Sequence, residues 1–209
     1  MKRFVSAFVI GGAFVCAILW SKVLFMALMV ALAVGMGYEW WHLAGTWGVF
    51  LCGCVLLGVC LGCLASLRLE SVEVLLWYFV CVWSMDTFAM IGGRAIGGAK
   101  FAPSISPKKT WSGVVVGCCA SAVITSAIYE APVWAMIIGF VSQLSDIMVS
   151  YFKRKKGIKD SNTRWTTIPG HGGFLDRFDS ILLSSLILRA FHGVIFDGFM
   201  GLASGSHLG

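Results

Sequence analysis

Charge is what this chain has least of. Only 12% of its 209 residues are charged, about half the roughly 25% usual in soluble domains, and a surface so poor in charge excludes a water-soluble globule. No polar domain follows the first apolar run, Phe4 to Trp20; a second apolar run begins directly after Ser21 and Lys22. The basic start, Met1-Lys2-Arg3, is therefore read as preceding a retained helix and not a cleaved leader. No internal repeat, low-complexity tract or long linker is visible, which speaks against a multidomain chain. Histidines are few, four in all, and none lies near the Cys60-x-x-Cys63 pair, so a zinc site built on that pair is excluded. The eight cysteines all fall inside apolar runs and read as small apolar packing residues.

What is present is hydrophobic sequence, 58% of the chain, in blocks that approach the roughly 20 residues needed to cross a bilayer core. Hydropathy places spans near 4 to 20, 23 to 38, 46 to 66, 72 to 90, 113 to 129, 132 to 149 and 180 to 200. The expected fold is an all-α polytopic integral membrane bundle of about seven helices, with a polar cavity facing the cytoplasm. Within one membrane domain, 1–209, the sequence divides into amino-terminal helices (1–85), a polar-loop region (86–179), and a last helix with a short tail (180–209).

The formal charge of +6 is unevenly placed, because eleven of the sixteen basic residues lie between Arg94 and Asp179. They fall in two loops. With seven spans and the amino terminus inside, both loops and Lys2-Arg3 share one side, which the positive-inside rule makes cytoplasmic. Lys22 and Arg68 fall on the other side. Basic loops alone need be no more than topology signals or contacts to anionic headgroups. These carry acids, glycines and a histidine as well.

The first loop runs from Asp86 to Gly113, with glycines at 92, 93, 97 and 98 and then Ser106-Pro107-Lys108-Lys109-Thr110-Trp111. Glycine turns let backbone N–H groups approach phosphate, and two lysines ahead of a helix start favour an anion there. The second region begins with Gln143-Leu144-Ser145-Asp146 inside an apolar stretch, where an unpaired acid is costly. Lys153, Arg154, Lys159 and Asp160 follow. Next comes Ile168-Pro169-Gly170-His171-Gly172-Gly173, and then Asp176-Arg177-Phe178-Asp179. Asp176 and Asp179, three apart, share a helix face. Together with Asp146 they suit a magnesium ion that completes its shell with water and phosphate oxygens. Capping the helix is the simpler role for the pair. His171 is open to three roles: general base, phosphate donor, or hydrogen-bonding group of the glycine turn. Arg189, inside the last span, is expected to pair across helices or to line a cavity, with Asp86 a conceivable partner.

These residues resemble the signature of phosphatidate cytidylyltransferases. The match is carried by Ser150, Phe152, Lys153, Arg154, Lys159, Asp160, Ile168 to Gly173, Asp176, Arg177 and Asp179. Upstream, Asp86-Thr87, Gly93-Arg94, Gly97, Pro103, Ile105 to Trp111 and Gln143 to Asp146 are similar to that family's other polar stretch. Glu39-Trp40 with Leu43 matches a weaker feature. Three positions depart from the pattern: seven residues (161–167) stand where the family usually has four, Phe88 replaces a small residue and Ser112 a glutamate. The chain is also short for the family.

The resemblance implies transfer of a cytidylyl group from CTP to phosphatidate, giving CDP-diacylglycerol and pyrophosphate. It implies magnesium, with room for a second cation, held by Asp146, Asp176 and Asp179. Asp146, Asp176, Lys153, Arg154, His171 and Arg177 would act on the reacting groups. Arg94, Ser106, Lys108, Lys109, Thr110, Lys159, Asp160, Gly172 and Gly173 would bind substrate. The expected setting is a bacterial-type inner (plasma) membrane with the site on the cytoplasmic side. CTP, phosphatidate and membrane lipid are the partners, a homodimer is allowed, and nucleic acid is not expected. The alternatives are a CTP-using enzyme acting on an isoprenoid or polyprenol, and a lipid or ion transporter. The transporter would show paired broken spans in repeated halves, and none is visible.

Overall fold

In the computed structural model, residue 12, residues 14–158, Ser161 and residues 173–205 are described, with side chains as far as residue 194. Residues 14–20 form α1. It is followed by α2 (Lys22–Ala44), α3 (Trp47–Glu70), α4 (Val72–Ala95), strands β1 (Lys100–Ala102) and β2 (Ser106–Thr110), α5 (Trp111–Thr125), α6 (Pro132–Lys155) and α7 (Leu175–Gly205). The all-α bundle is as expected from the sequence, with one small antiparallel hairpin added. Among the described residues, four helices, α2, α3, α4 and α6, are long and apolar enough to cross a membrane. The 15-residue α5 rises only about 22 Å at 1.5 Å per residue.

Turn chemistry sets the helix ends. Gly45, with φ 74°, closes α2 in the left-handed conformation that glycine adopts without strain. Thr46 then caps α3, accepting from Val49 N at 3.4 Å. Ser71 alone joins α3 to α4: its N–H donates to Leu67 O at 2.8 Å, and its hydroxyl accepts from Val74 N at 3.3 Å. Pro132 opens α6 at a position where no intrahelical N–H is needed.

The surface is inverted relative to that of a soluble protein. Val30, Val34, Val55, Val59, Val115, Val123 and Val133 are exposed, while Ser121, Ser142, Ser145, Ser184 and Ser185 are buried. Helices in lipid associate through close packing and small polar side chains, with no hydrophobic drive between them. Tyr78 on α4 thus donates to Ile181 O on α7 at 2.8 Å, and Ser121 on α5 donates to Cys81 O at 3.0 Å. Glycines bring α4 against α5: a methyl group added at Gly92 would stand 2.6 Å from Val116 Cβ, and one at Gly113 would stand 2.5 Å from Ala89 O.

Several expectations need correction. The first loop was expected to start at Asp86, but α4 continues to Ala95, so Asp86 to Arg94 are helical. Gly92 is tolerated there because it meets Val116, and the helix stops only before Gly97 and Gly98, at φ 68° and 99°. The Ser106 to Thr110 stretch, read as part of a loop, is a strand paired with β1, and Lys108 and Lys109 stand directly ahead of the start of α5 as expected. Helix α6 runs on through Lys153 and Arg154 to Lys155, where cations complement the helix dipole. Arg189 pairs with Glu70 at 3.0 Å, not with Asp86.

Candidate active site

Helix α6 carries Asp146, Ser150 and Lys153 at spacings of four and three, which stack them along one face. Ser150 donates to Asp146 at 3.2 Å. Lys153, only 6% exposed, faces the first turn of α7: its ammonium donates to Asp176 Oδ1 at 2.7 Å and stands 4.0 Å from Asp179 Oδ2. One cation therefore serves both members of the i, i+3 acid pair. Asp146 and Asp179 are electrostatic neighbours. Ser145, also on α6, locks the register of the two helices by donating to Asp179 O and accepting from Leu183 N at 3.1 Å.

The hairpin supplies the opposite wall. Thr110, buried, caps α5 by accepting from Gly113 N at 3.2 Å. That fixes Lys109, whose ammonium lies 2.5 Å from Asp146 Oδ2 and 3.5 Å from Gln143 O. Asp86 on α4 completes the group, accepting from Gln143 Nε2 at 2.6 Å. Arg154 ties the hairpin to the end of α6, donating to Ile105 O at 3.2 Å and Ile158 O at 2.7 Å. Arg94, Lys108 and Arg177 are exposed around this rim, and Ser106 is partly buried.

Three carboxylates, Asp86, Asp146 and Asp179, are thus electrostatic neighbours inside the bundle, with Lys109 against Asp146 and Lys153 near Asp179. Asp176 stands apart from the other acids. Besides Lys153, it accepts from Ser161 N at 2.8 Å and Gly173 N at 3.1 Å. Burial would raise its carboxyl, but Lys153 and these N–H groups outweigh burial and hold it below the usual carboxylate range. Among the described residues, no three histidine, cysteine, aspartate or glutamate side chains form a metal cluster. Lys159, Asp160, His171 and Gly172 lie outside the described residues; Gly173 is the one member of the His-Gly-Gly stretch whose contact is seen.

Sequence reasoning assigned no role to Glu39. This carboxylate is fully buried. It accepts from Phe174 N at 2.7 Å, Leu175 N at 2.8 Å and Ser161 Oγ at 2.7 Å. From α2 it caps the start of α7 and holds Gly173 against itself. The signal was available: ending the second span at 38 put Glu39 at the interface, whereas α2 continues to Ala44 and makes it a buried acid like Asp146.

The cytidylyltransferase family profile matches residues 42–195. A phosphatidate cytidylyltransferase of Rickettsia bellii is 41% identical over 211 aligned positions, covering 92% of this chain and 90% of the relative. That of Rickettsia conorii is 40% identical, covering 89% and 88%. A longer relative of the same name from Brucella abortus is 40% identical over 131 positions, 58% of this chain and 47% of its own. The match spans α3 to most of α7 and takes in every residue of the carboxylate and lysine group, and on these grounds the chain belongs to the cytidylyltransferase family.

Proposed function

We propose that the protein transfers the cytidylyl group of CTP to phosphatidate at the cytoplasmic face of a bacterial inner membrane. The observation that carries this is the paired arrangement of Lys109 with Asp146 and of Lys153 with Asp176 across α6, α7 and the hairpin. Cations already fixed by buried partners suit a reaction in which charge spreads over phosphoryl oxygens. The orientation is supported by the basic residues gathered at this end of the bundle, from Arg94 to Lys156, under the positive-inside rule.

In the reaction, an oxygen of the lipid phosphate attacks the α-phosphorus of CTP, an O–P bond forms, and the bond to the β-phosphate breaks to release pyrophosphate. No side-chain nucleophile is required, because the lipid phosphate is already an anion. Catalysis is in-line placement plus neutralisation. Lys109 and Lys153 would meet the phosphates at the base of the site; Lys108, Arg94, Arg154 and Arg177 would meet them from its rim. Glu39 and Ser145 hold α7 in place.

Magnesium would have two carboxylates to hold it here, not a preformed cluster of three among the described residues. Two facing acids, Asp146 and Asp179, with Asp86 nearby, match an ion that keeps waters and takes phosphate oxygens as further ligands. Asp176, whose oxygens are engaged by Lys153, Ser161 and Gly173, would instead orient Lys153. The ion would supply charge neutralisation at the transferring phosphoryl group.

The test is transfer of radiolabelled CTP into chloroform-extractable lipid by the purified protein, with phosphatidate and magnesium. Label in lipid with wild type and loss of it with Asp176→Ala is the expected result. A folded wild type that binds CTP but labels no phosphatidate overturns the reading.

A further inference from the structure

Beside the acids, and separate from them, an apolar cavity of about 480 Å³ opens between α2, α3, α6 and α7. Its wall on α3 runs from Thr46 through Cys52 to Leu57, and its other walls include Met148, Phe152 and Leu182. Thr46 is the N-cap of α3, so Leu57 lies eleven residues further along, about 16 Å at 1.5 Å per residue. That is half of a hydrocarbon core of roughly 30 Å. The cavity has the depth of one leaflet, starting at the end of the bundle where α2 gives way to α3 beside Lys156.

Its head end shares two helix turns with the site. Phe152 and Leu175 line the cavity, and the residues that follow them in sequence are Lys153 and Asp176. Trp40, which also lines it, stacks edge-on against Phe152 at 4.9 Å and is the neighbour of Glu39. A second, half-polar cavity of about 280 Å³ shares Thr46 with the first and is lined by Trp41, Trp47, Phe50 and Lys156. Trp41 and Trp47 meet edge-to-face at 4.7 Å and are largely exposed, the placement of interfacial aromatics. An apolar shaft one leaflet deep, ending between Lys153 on one side and Lys156 with two tryptophans on the other, has the shape and charge order of an anionic glycerophospholipid.

We propose that this cavity takes an acyl chain of the acceptor lipid and holds the lipid phosphate beside Lys153. The inference rests on the phosphatidate reading for the identity of the lipid. Small residues on α3 line the shaft, Gly48 and Gly53: a side chain at Gly48 would meet no protein atom within 4 Å, while Gly53 makes room for the Trp40 indole. Chain length and bulk are therefore sensed along α3, away from the reacting atoms.

Two measurements test it. The first needs no turnover. Phosphatidate carrying a diazirine on one acyl chain is photolysed with the wild-type protein in nanodiscs, and the modified peptides are mapped. Crosslinks on 48–57 and 148–152, competed by phosphatidate but not by phosphatidylcholine, are the expected result. Crosslinks elsewhere, or equal competition by both lipids, overturn the proposal in favour of ordinary lipid contact or a protein-covered face. The second uses Cys52→Trp, at an exposed position on the lip of the cavity. It should raise the KM for dioleoyl phosphatidate about tenfold, as displacing about two methylene groups would, and raise that for dihexanoyl phosphatidate much less. An equal rise for both overturns the proposal. Phosphatidate-specific crosslinks without any cytidylyl transfer would leave the groove standing and remove the transferase reading instead.

Discussion

Lys153 on α6 places its ammonium 2.7 Å from Asp176 Oδ1 on α7, with each side chain only 7% exposed. Removing one partner of such a pair leaves a buried charge without compensation, which costs about 3–5 kcal/mol, whereas removing both costs far less. Lys153→Met and Asp176→Asn should each lower thermal stability strongly, and the double variant should recover much of the loss. All three should lose most, but not all, of their activity in lipid labelling. Melting of the four proteins in detergent closes the cycle, and strictly additive losses would show that the pair is not coupled.

The same pair sets a pH dependence. The Asp176 carboxyl is held below its ordinary value, so its contribution is fully present above the unfolded carboxylate pKa, about 3.9, and is lost only as pH falls through the lower folded value. The difference in melting temperature between wild type and Asp176→Asn should be constant from about pH 5 to 8 and shrink below about pH 4. A difference that already shrinks near pH 6 would mean the carboxyl is not stabilised by Lys153.

Glu39 is a positioning residue. Its two oxygens receive Phe174 N, Leu175 N and Ser161 Oγ, and each buried donor left unsatisfied costs about 1–3 kcal/mol. Glu39→Gln keeps the volume but turns an NH2 toward those donors, so it should reduce stability. It should also cut kcat for cytidylyl transfer by more than about tenfold, with the KM for CTP little changed, since Glu39 touches neither Lys109 nor Lys153. A purely structural role would lower the amount of active enzyme and leave kcat per folded molecule intact.

The motifs carried the chemistry, but hydropathy misjudged where the helices end. Asp146, Lys153, Asp176 and Asp179 were legible because acids and cations in apolar sequence demand partners, and the i, i+3 spacing already put Asp176 and Asp179 on one face. Which acid meets which cation was not legible. That depends on the hairpin bringing Lys109 to Asp146 and on the Ser145 bonds that set α6 against α7, both of which are long-range in sequence. Asp86 fell where the expected span, 72 to 90, overlapped the loop taken to start at 86, and the glycines at 92 and 93 were read as part of that loop. Gly92 is instead where α4 packs on α5, a use of glycine that single-sequence reading does not separate from a turn. Glu39 was lost to a span boundary set six residues too early.

The far end of the bundle offers a contrast. Arg189 and Glu70 pair at 3.0 Å, but both side chains are about 40% exposed, and a pair that open to its surroundings is worth little, typically under about 1 kcal/mol. Arg189→Ala should leave lipid labelling within about twofold of wild type. A large loss of labelling would mean that this end of α7 communicates with the site.

The roles of the acids separate by their response to magnesium. If Asp146 and Asp179 share the ion, Asp146→Asn and Asp179→Asn remove a hard anionic ligand, and the magnesium concentration giving half-maximal activity should rise by about tenfold or more. Asp176, whose oxygens serve Lys153 and two backbone N–H groups, should behave differently: Asp176→Asn should depress kcat at every magnesium concentration without moving the midpoint. The measurement is residual activity titrated with magnesium at saturating CTP and phosphatidate. A midpoint shift for Asp176→Asn equal to that for Asp146→Asn would place all three acids on the ion and return Asp176 to the ligand set that the sequence motif implies.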